Sequence, residues 1–240
     1  MYEPRFYRDF SPQKRWQSYR VRLESSDLYI RSQDNQAMLV QQLLRDLRGK
    51  IQAHIQRQPE FLSSLEPVQE LSRVEPIIAR MYQAARIAGT GPMAAVAGAI
   101  SQAVALELAE YSPEVIVENG GDNYLFLQQP AVNTIYAGQS RLSGQIGIQI
   151  QPGQTPLAVC TSSGTVGHSQ SLGLADAATV LSQDACLADA TATAVANQVQ
   201  VPGDLEHALQ FALGLPGVLG AVLIQGETLA AAGDLELCKT

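Results

Sequence analysis

The stretch at residues 117–126, VENGGDNYLF, places two adjacent glycines and an acid between two apolar runs. Gly120 and Gly121 can adopt positive φ at low cost, so the pattern predicts a tight hairpin between antiparallel strands. A hairpin needs only part of this sequence, because Glu118 and Asp122 also bring two carboxylates to the turn. The same glycines would let a ligand approach the backbone closely. Taken alone, the turn favours the plain hairpin and leaves the ligand interpretation open.

The rest of the chain alternates between hairpins and pairs of helices. Period-two patterning in YRVRLESSDLYIRS (residues 19–32) predicts one hairpin, and short apolar runs separated by Gly and Pro predict further strands after residue 114. A helical stripe is formed by Val40, Leu44, Leu47, Ile51 and Ile55. This order predicts an α+β fold, with a largely antiparallel sheet covered by paired helices. We expect a single compact domain over residues 1–240, with residues 1–18 as a peripheral arm.

Composition limits the classes of partner. The formal net charge is -7 and only 16% of the residues are charged, so no basic stripe is available for nucleic acid. Aromatic and basic residues interleave near the start, which favours a solvated edge or a subunit contact, and hence a homodimer. The three cysteines are widely spaced and indicate reduced core thiols. No apolar stretch of signal length opens the chain, so we expect a cytoplasmic protein without a membrane partner.

The segment GTGP (residues 89–92) interrupts two predicted helices. Gly89 is suited to end the first helix and Pro92 to the first turn of the second. The free N–H groups beyond Thr90 and Gly91 would then be available to an anion. This segment lacks the strand of a Rossmann motif and the Lys of a P-loop, so it is a weak phosphate signal by itself.

A hydroxyl-rich loop, CTSSGTVGHSQS (residues 160–171), follows an apolar strand. It offers donors to phosphate or carbonyl oxygens without adding charge. A serine-rich surface loop is an equal alternative, and a serine hydrolase is excluded because the G-x-S-x-G elbow is absent. The candidate residues in this loop are Thr161, Ser162, Ser163, Gly164 and His168.

The segment LADATATAVAN (residues 187–197) predicts a helix with Asp189 and Thr193 on one face. One carboxylate and one hydroxyl are hard oxygen ligands suited to Mg²⁺ held jointly with substrate phosphates. Asp189 also lies early in the helix, where an acid is favoured by the dipole regardless of function, and Thr193 can bond back to the preceding turn. Taken singly, this motif favours a structural role.

The three motifs occur in a characteristic order. N-G-G-D, then T-S-S-G, then A-D-A-T-A-T-A, resembles the ApbE superfamily of flavin transferases, chiefly over residues 85–200. Within it the chain is most similar to a short branch marked by AGTGPMAAVAG and TSSGTVGHS. The resemblance implies an ApbE-like, tunnelling-type fold, and FAD and Mg²⁺ as cofactors. It also implies transfer of FMN to a Thr or Ser of an acceptor protein.

The resemblance also implies roles for individual residues. Asp189 and Thr193 match metal ligands, and a backbone carbonyl near Val96 would complete the metal site. His168 is the counterpart of a candidate base. Gly120, Gly121 and Asp122 would form one wall of a nucleotide pocket.

The sequence departs from the superfamily pattern at two places, and two functional hypotheses therefore stay open. Ala97 stands where these transferases have a lysine, and no His-x-x-Asp-Pro-x-x-Gly segment follows His168. One hypothesis is an Mg²⁺-dependent enzyme that transfers or cleaves a flavin nucleotide. The other is a pterin-binding or nucleotide-binding protein of the same fold that is non-catalytic or catalyses a different reaction.

Overall fold

The computed structural model describes residues 15–164 and 173–240, and its centre is an eight-stranded sheet in which every neighbouring pair is antiparallel. The order across this large sheet is β1-β2-β3-β4-β7-β8-β9-β10. A small sheet has the order β11-β6-β5. The strands are β1 Gln17–Leu23, β2 Ser26–Ser32, β3 Val115–Asn119, β4 Asp122–Phe126, β5 Ala131–Thr134, β6 Ile146–Ile150, β7 Leu157–Ser162, β8 Ala177–Ser182, β9 Val218–Gln225, β10 Thr228–Gly233 and β11 Glu236–Lys239.

The molecule has three layers, because the helices cover one face of the large sheet and the small sheet covers the other. One apolar core lies between the helices and the large sheet. A second core lies between the two sheets and contains Ile148 and Ile150 of β6 together with Val159 of β7. The helices are α1 Ala37–Arg57, α2 Glu60–Ser63, α3 Pro76–Ala88, α4 Val96–Ala109, α5 Ala185–Gln198 and α6 Leu205–Gly214.

The predicted α+β class and antiparallel sheet are confirmed, and the differences are local. The small sheet was not predicted, since β5 and β11 are only four residues each and β11 has no β-branched residue. The helix after GTGP begins at Val96 rather than Pro92, because residues 92–95 form a 3₁₀ turn. His54 of α1 is only 3% exposed.

The hairpin between β3 and β4 has the geometry that its sequence predicts. Asn119 pairs with Asp122 across a two-residue turn in which Gly120 has φ 73° and Gly121 has φ 107°. Positive φ at both central residues matches the right-handed twist of the flanking strands. Only glycine adopts these angles without strain, so the turn fixes the register of β3 against β4.

The segment Pro92–Ala109 is long and apolar enough to cross a membrane by length and composition, and 56% of it is buried within the molecule. Its helix, α4, contacts β3, β4 and α5. The apolar side chains of this segment form part of the core between the helices and the large sheet.

Candidate functional site

The predicted motifs meet on the helix-facing side of the large sheet. β4 pairs with β7, with Asn123 opposite Val159, which brings the N-G-G-D turn beside the end of the T-S-S strand. Helix α5, which carries the A-D-A motif, packs against β7 and β8. The amide of Asn119 donates to the Ala97 carbonyl over 3.2 Å and joins the hairpin turn to the start of α4.

A glycine allows α4 and α5 to approach closely at this point. A Cβ added to Gly98 would lie 2.2 Å from the Ala185 carbonyl oxygen and 2.9 Å from the Cβ of Asp189. No side chain fits between the two backbones, so the sequence requires glycine here. This contact sets the position of Asp189 relative to the first turn of α4.

Asp189 stabilises the N-terminus of α4 from a neighbouring helix. Its Oδ2 accepts the Gly98 N–H at 2.8 Å, and the Ala97 N–H lies close to the same carboxylate. Both N–H groups belong to the first turn of α4, where no intrahelical acceptor exists. Burial raises the pKa of Asp189 to about 7, although these two N–H groups act in the opposite direction.

Asp122 is a second buried carboxylate beside the first. Burial raises its pKa well above the ordinary range, and the negative charges of Asp189 and Glu118 raise it further. The Cys160 thiol and the Thr161 N–H lie close to the carboxylate and act against this shift. Within the described residues its Oδ1 has no hydrogen-bond partner. This carboxylate is buried beside a second acid, so a cation would stabilise its ionised form.

The hydroxyls of the T-S-S strand divide between the two faces of the large sheet. The Thr161 Oγ1 lies 2.9 Å from the Thr179 Oγ1, so this pair is directed away from Cys160 and Ser162, its neighbours along β7. Ser162 is 6% exposed, and its Oγ lacks a partner among the residues that the structure describes. Ser163 donates to the Ala175 carbonyl over 3.4 Å. The Gly164 N–H donates to that same carbonyl at 2.9 Å.

The residues predicted around the helix break lie at the border of this site. Thr90 and Gly91 are buried, and Val96 is the first residue of α4, half-buried, two residues before Gly98. Thr193 is half-buried one turn beyond Asp189 on α5. In the first turn of α4, the Gly98 N–H bonds the Asp189 carboxylate, so this donor is not left for an external anion.

His168 lies outside the described residues, and its predicted role as a base stays a prediction. Across residues 15–164 and 173–240, no group of three or more His, Cys, Asp or Glu side chains is arranged to hold a metal ion. The acidic pair therefore supplies at most part of a coordination shell.

Three participants were not identified from the sequence. Cys160 lies beside Asp122, Asn119 joins the turn to α4, and Ala97 contributes its backbone to both contacts of the helix start. The alternation along β7 is the signal that identifies Cys160, since it places Cys160 and Ser162 on one face. The backbone contacts of Ala97 carry no side-chain signal.

The arrangement of helices and sheets is the fold of the ApbE flavin transferases. Apo flavinyl transferase ApbE from Pseudomonas stutzeri matches 91% of this chain and 94% of its own, with a TM-score of 0.54 and 12% identity. A mutant of flavin transferase ApbE from Vibrio cholerae matches 91% of this chain and 97% of its own, with a TM-score of 0.56 and 10% identity. At these identities the likeness establishes the fold.

The sequence establishes the family. The family described as AbpE bacteria matches residues 8–214. A UPF0280 protein of Methanocella arvoryzae is 45% identical over 193 residues, which are 79% of this chain and 77% of that protein. A UPF0280 protein of Methanopyrus kandleri is 37% identical over 225 residues, which are 90% of each chain. The chain belongs to this ApbE-like family, as its motifs predicted.

Proposed function

We propose that the protein binds a flavin nucleotide, FAD, together with Mg²⁺, and transfers or cleaves it at the pyrophosphate. The observation that carries the proposal is the buried pair of Asp122 and Asp189, in which both pKa values are raised. The negative charge of Asp189 raises the pKa of Asp122, so a cation near both carboxylates would stabilise their ionised forms. Among the described residues, Asp122 Oδ1 and Ser162 Oγ have no hydrogen-bond partner, and they belong to the neighbouring strands β4 and β7.

The residues present fit Mg²⁺ better than a metal held entirely by protein. Mg²⁺ in nucleotide sites commonly uses one or two carboxylates, with phosphates and water as its other ligands. Asp189 and Asp122 would supply the carboxylates, and Thr193 and a carbonyl near Val96 would complete the protein's share. The absence of a three-residue cluster from the described ranges agrees with such a site. When bound, Mg²⁺ supplies charge neutralisation at the pyrophosphate.

The chain's own groups would position the nucleotide for displacement at phosphorus. A hydroxyl of an acceptor protein, or water, attacks the FMN phosphorus, the pyrophosphate P–O bond breaks, and AMP leaves. The proton of the nucleophile passes to a base, for which His168 is the candidate. The hairpin glycines and the T-S-S strand would approach the phosphates through backbone N–H groups and hydroxyls.

The names of the similar structures support the flavin assignment. Both are flavin transferases, and their fold is shared over 91% of this chain. A cytoplasmic location, a homodimer, an acceptor protein and the lack of nucleic-acid or membrane partners are part of the same proposal.

A second candidate is a pterin-binding or nucleotide-binding protein that does not transfer flavin. It is favoured by Ala97, which leaves the place of the superfamily lysine without a cation. It is favoured also by Asp189, which already accepts the Gly98 N–H. Under this alternative the acidic pair is structural or binds a cation without chemistry.

Incubation of the purified protein with FAD and Mg²⁺ tests the proposal, with separation of FMN, AMP and flavin-labelled polypeptide by chromatography. We expect product with Mg²⁺, no product with EDTA, and at least about a hundredfold less with Asp189→Asn, since one charged ligand contributes several kcal/mol to such a reaction. Asp46→Asn is the matched control, because Asp46 lies exposed on α1 and pairs with Lys50.

The possible outcomes separate the candidates. Binding of FAD without product, at every Mg²⁺ concentration, would favour the second candidate. Neither binding nor product, in protein that unfolds cooperatively, would overturn the flavin proposal. Product that persists in full with Asp189→Asn would remove the acidic pair from the reaction.

A further inference from the structure

The segment of residues 64–75, here called the strap, connects α2 to α3 without regular secondary structure. Most of its residues are exposed, and only Val68 and Val74 among its apolar side chains pack against the core. Leu65 is 59% exposed, and Leu62 just before the strap is 54% exposed. Long connections of this kind inside a compact domain are commonly functional.

The beginning of the strap lies directly on the helix break. A Cβ added to Gly91 would lie 1.8 Å from the Ser64 carbonyl oxygen and 3.2 Å from the Leu65 Cα. Helix α2 packs beside it against the turn of residues 92–95. Strap and α2 together therefore cover the GTGP segment from Gly91 onward, and glycine at position 91 permits the contact.

A buried polar cluster, here called the latch, holds the middle of the strap. The Gln58 amide donates to the Gln69 carbonyl at 3.0 Å, and the Tyr82 hydroxyl donates to the Gln58 Oε1. The Leu71 N–H lies beside the same hydroxyl. His54 supports Tyr82 with a 2.8 Å hydrogen bond from its Nε2. Two backbone groups of the strap are thus held by Gln58, which directly follows α1, and by Tyr82 of α3.

A polar atom without a partner lies next to the covered Gly91. Thr90 is 5% exposed, and its Oγ1 makes no hydrogen bond within the described residues. A buried hydroxyl without a partner loses its hydration and gains nothing in return. A ligand oxygen or a water that reaches Thr90 when the cover opens would satisfy it.

We propose that the strap opens over Thr90 and Gly91 to admit a polar ligand to the GTGP segment, and that the latch of Gln58 and Tyr82 closes it. The exposed side chains of Leu62 and Leu65 are then the apolar surface that contacts the entering ligand. The identity of this ligand as a flavin nucleotide rests on the proposed function, whereas the opening itself does not.

A thiol placed under the strap measures the opening. In a Cys238→Ser background, Thr90→Cys introduces a thiol at the covered position, and Cys160 and Cys186 stay buried. Its reaction with an aromatic disulfide reagent under native conditions reports how often the cover opens. We expect slow labelling that Tyr82→Phe accelerates about fivefold and Gln58→Ala about tenfold, because each removes hydrogen bonds of the closed state.

The control is Gln52→Ala, on the helix α1 that Gln58 follows, because Gln52 is bonded to Glu24 instead of the strap. It should leave the labelling rate unchanged. Local opening also predicts that low denaturant concentrations barely change the rate, whereas labelling through global unfolding would accelerate steeply. Tyr82→Phe keeps the ring in the aromatic cluster with Phe61, so it remains informative if Gln58→Ala does not fold.

Two results would overturn the strap. One is labelling as fast as that of Cys238 in the parent protein, which would show that Thr90 is not covered. The other is an equal rate in the parent, Tyr82→Phe and Gln58→Ala proteins. Addition of FAD with Mg²⁺ should slow the labelling if the proposed function holds. If the labelling rate depends on the latch but is unchanged by FAD, the opening of the strap would still be supported. Only the identity of the ligand as a flavin nucleotide would be contradicted.

Discussion

Helices α1 and α4 lie in the same layer, yet they are built from different residues and do different work. α1 buries one stripe, formed by Val40, Leu44, Leu47 and Ile51, and exposes its other side. α4 consists mostly of small and apolar residues, and most of its positions are buried. Burial of side chains is therefore what holds α1 in place. In α4 the small residues let the helix approach α5 so closely that its backbone donates a hydrogen bond to Asp189.

The same substitution in the two helices should therefore have opposite effects. Gly98→Ala would bring a methyl group to 2.2 Å from the Ala185 carbonyl oxygen, so we expect a loss of about 3 kcal/mol in the free energy of unfolding. Gly49→Ala in α1 meets nothing within 4 Å and should add up to about 1 kcal/mol through helix propensity. Denaturant unfolding of both variants measures the two effects.

Gly98→Ala should also weaken Mg²⁺-dependent binding of FAD, because it displaces Asp189 from the start of α4. Equal stability changes in the two variants would remove the distinction between the helices. If Gly98→Ala lost stability but bound FAD unchanged, close packing of α4 against α5 would be supported. Its proposed effect on FAD binding through Asp189 would be contradicted.

Much of the main architecture could be predicted from patterns that are local in the sequence. The stripe of α1 and the glycine turn at Gly120 are local patterns, and both elements are found where predicted. The order of three motifs led to the family, which the comparisons confirm. Local periodicity and ordered motifs were therefore sufficient for the main architecture.

The geometry of the site could not be predicted because it depends on contacts between distant backbones. Nothing in the residues around Ala97 indicates that its N–H would lie near a carboxylate 92 positions later. The small sheet escaped for a related reason, since β11 pairs with β6 almost ninety residues earlier in the chain, as with Glu236 opposite Gln149. Non-local pairing of short strands leaves little trace in a single sequence.

The acidic pair gives the α4 region a pH dependence of a defined sign. Because the pKa of Asp189 rises from 3.8 to about 7 in the folded protein, its contribution to stability is complete below about pH 4. It is lost as the pH rises through about 7. In EDTA, the unfolding free energy should therefore fall by about 2 kcal/mol between about pH 5 and 8. Mg²⁺ should oppose the fall, since it stabilises the ionised carboxylates.

Asp189→Asn should flatten this part of the curve, and Asp46→Asn on α1 should not, because Asp46 is exposed. The measurement is chemical denaturation at a series of pH values with EDTA or with Mg²⁺. Parallel curves for the parent protein and Asp189→Asn would show that the pair does not hold the proton that burial implies.

The buried histidine of α1 should show the opposite and smaller dependence. Burial, assisted by the charge of Arg57, lowers the pKa of His54 from its ordinary 6.5. Below about pH 6.5 the unfolded chain therefore takes up a proton more readily than the folded protein, and stability is lost as the pH falls further. The expected loss is smaller than the maximum slope for one group, which is about 1.4 kcal/mol per pH unit.

His54→Gln removes the titration and keeps a donor for the Tyr82 hydroxyl, so its unfolding free energy should fall less over this range. His207→Gln on α6 is the matched control, since His207 is exposed. The difference between the two variants isolates His54 from every other group that titrates at these pH values. A slope unaltered by His54→Gln would mean that burial does not keep this histidine neutral in the folded protein. In that case α1 would tolerate the buried positive charge of His54, whereas the interface of α4 and α5 disfavours the negative charge of Asp189. The two helices would then differ in electrostatics as well as in packing.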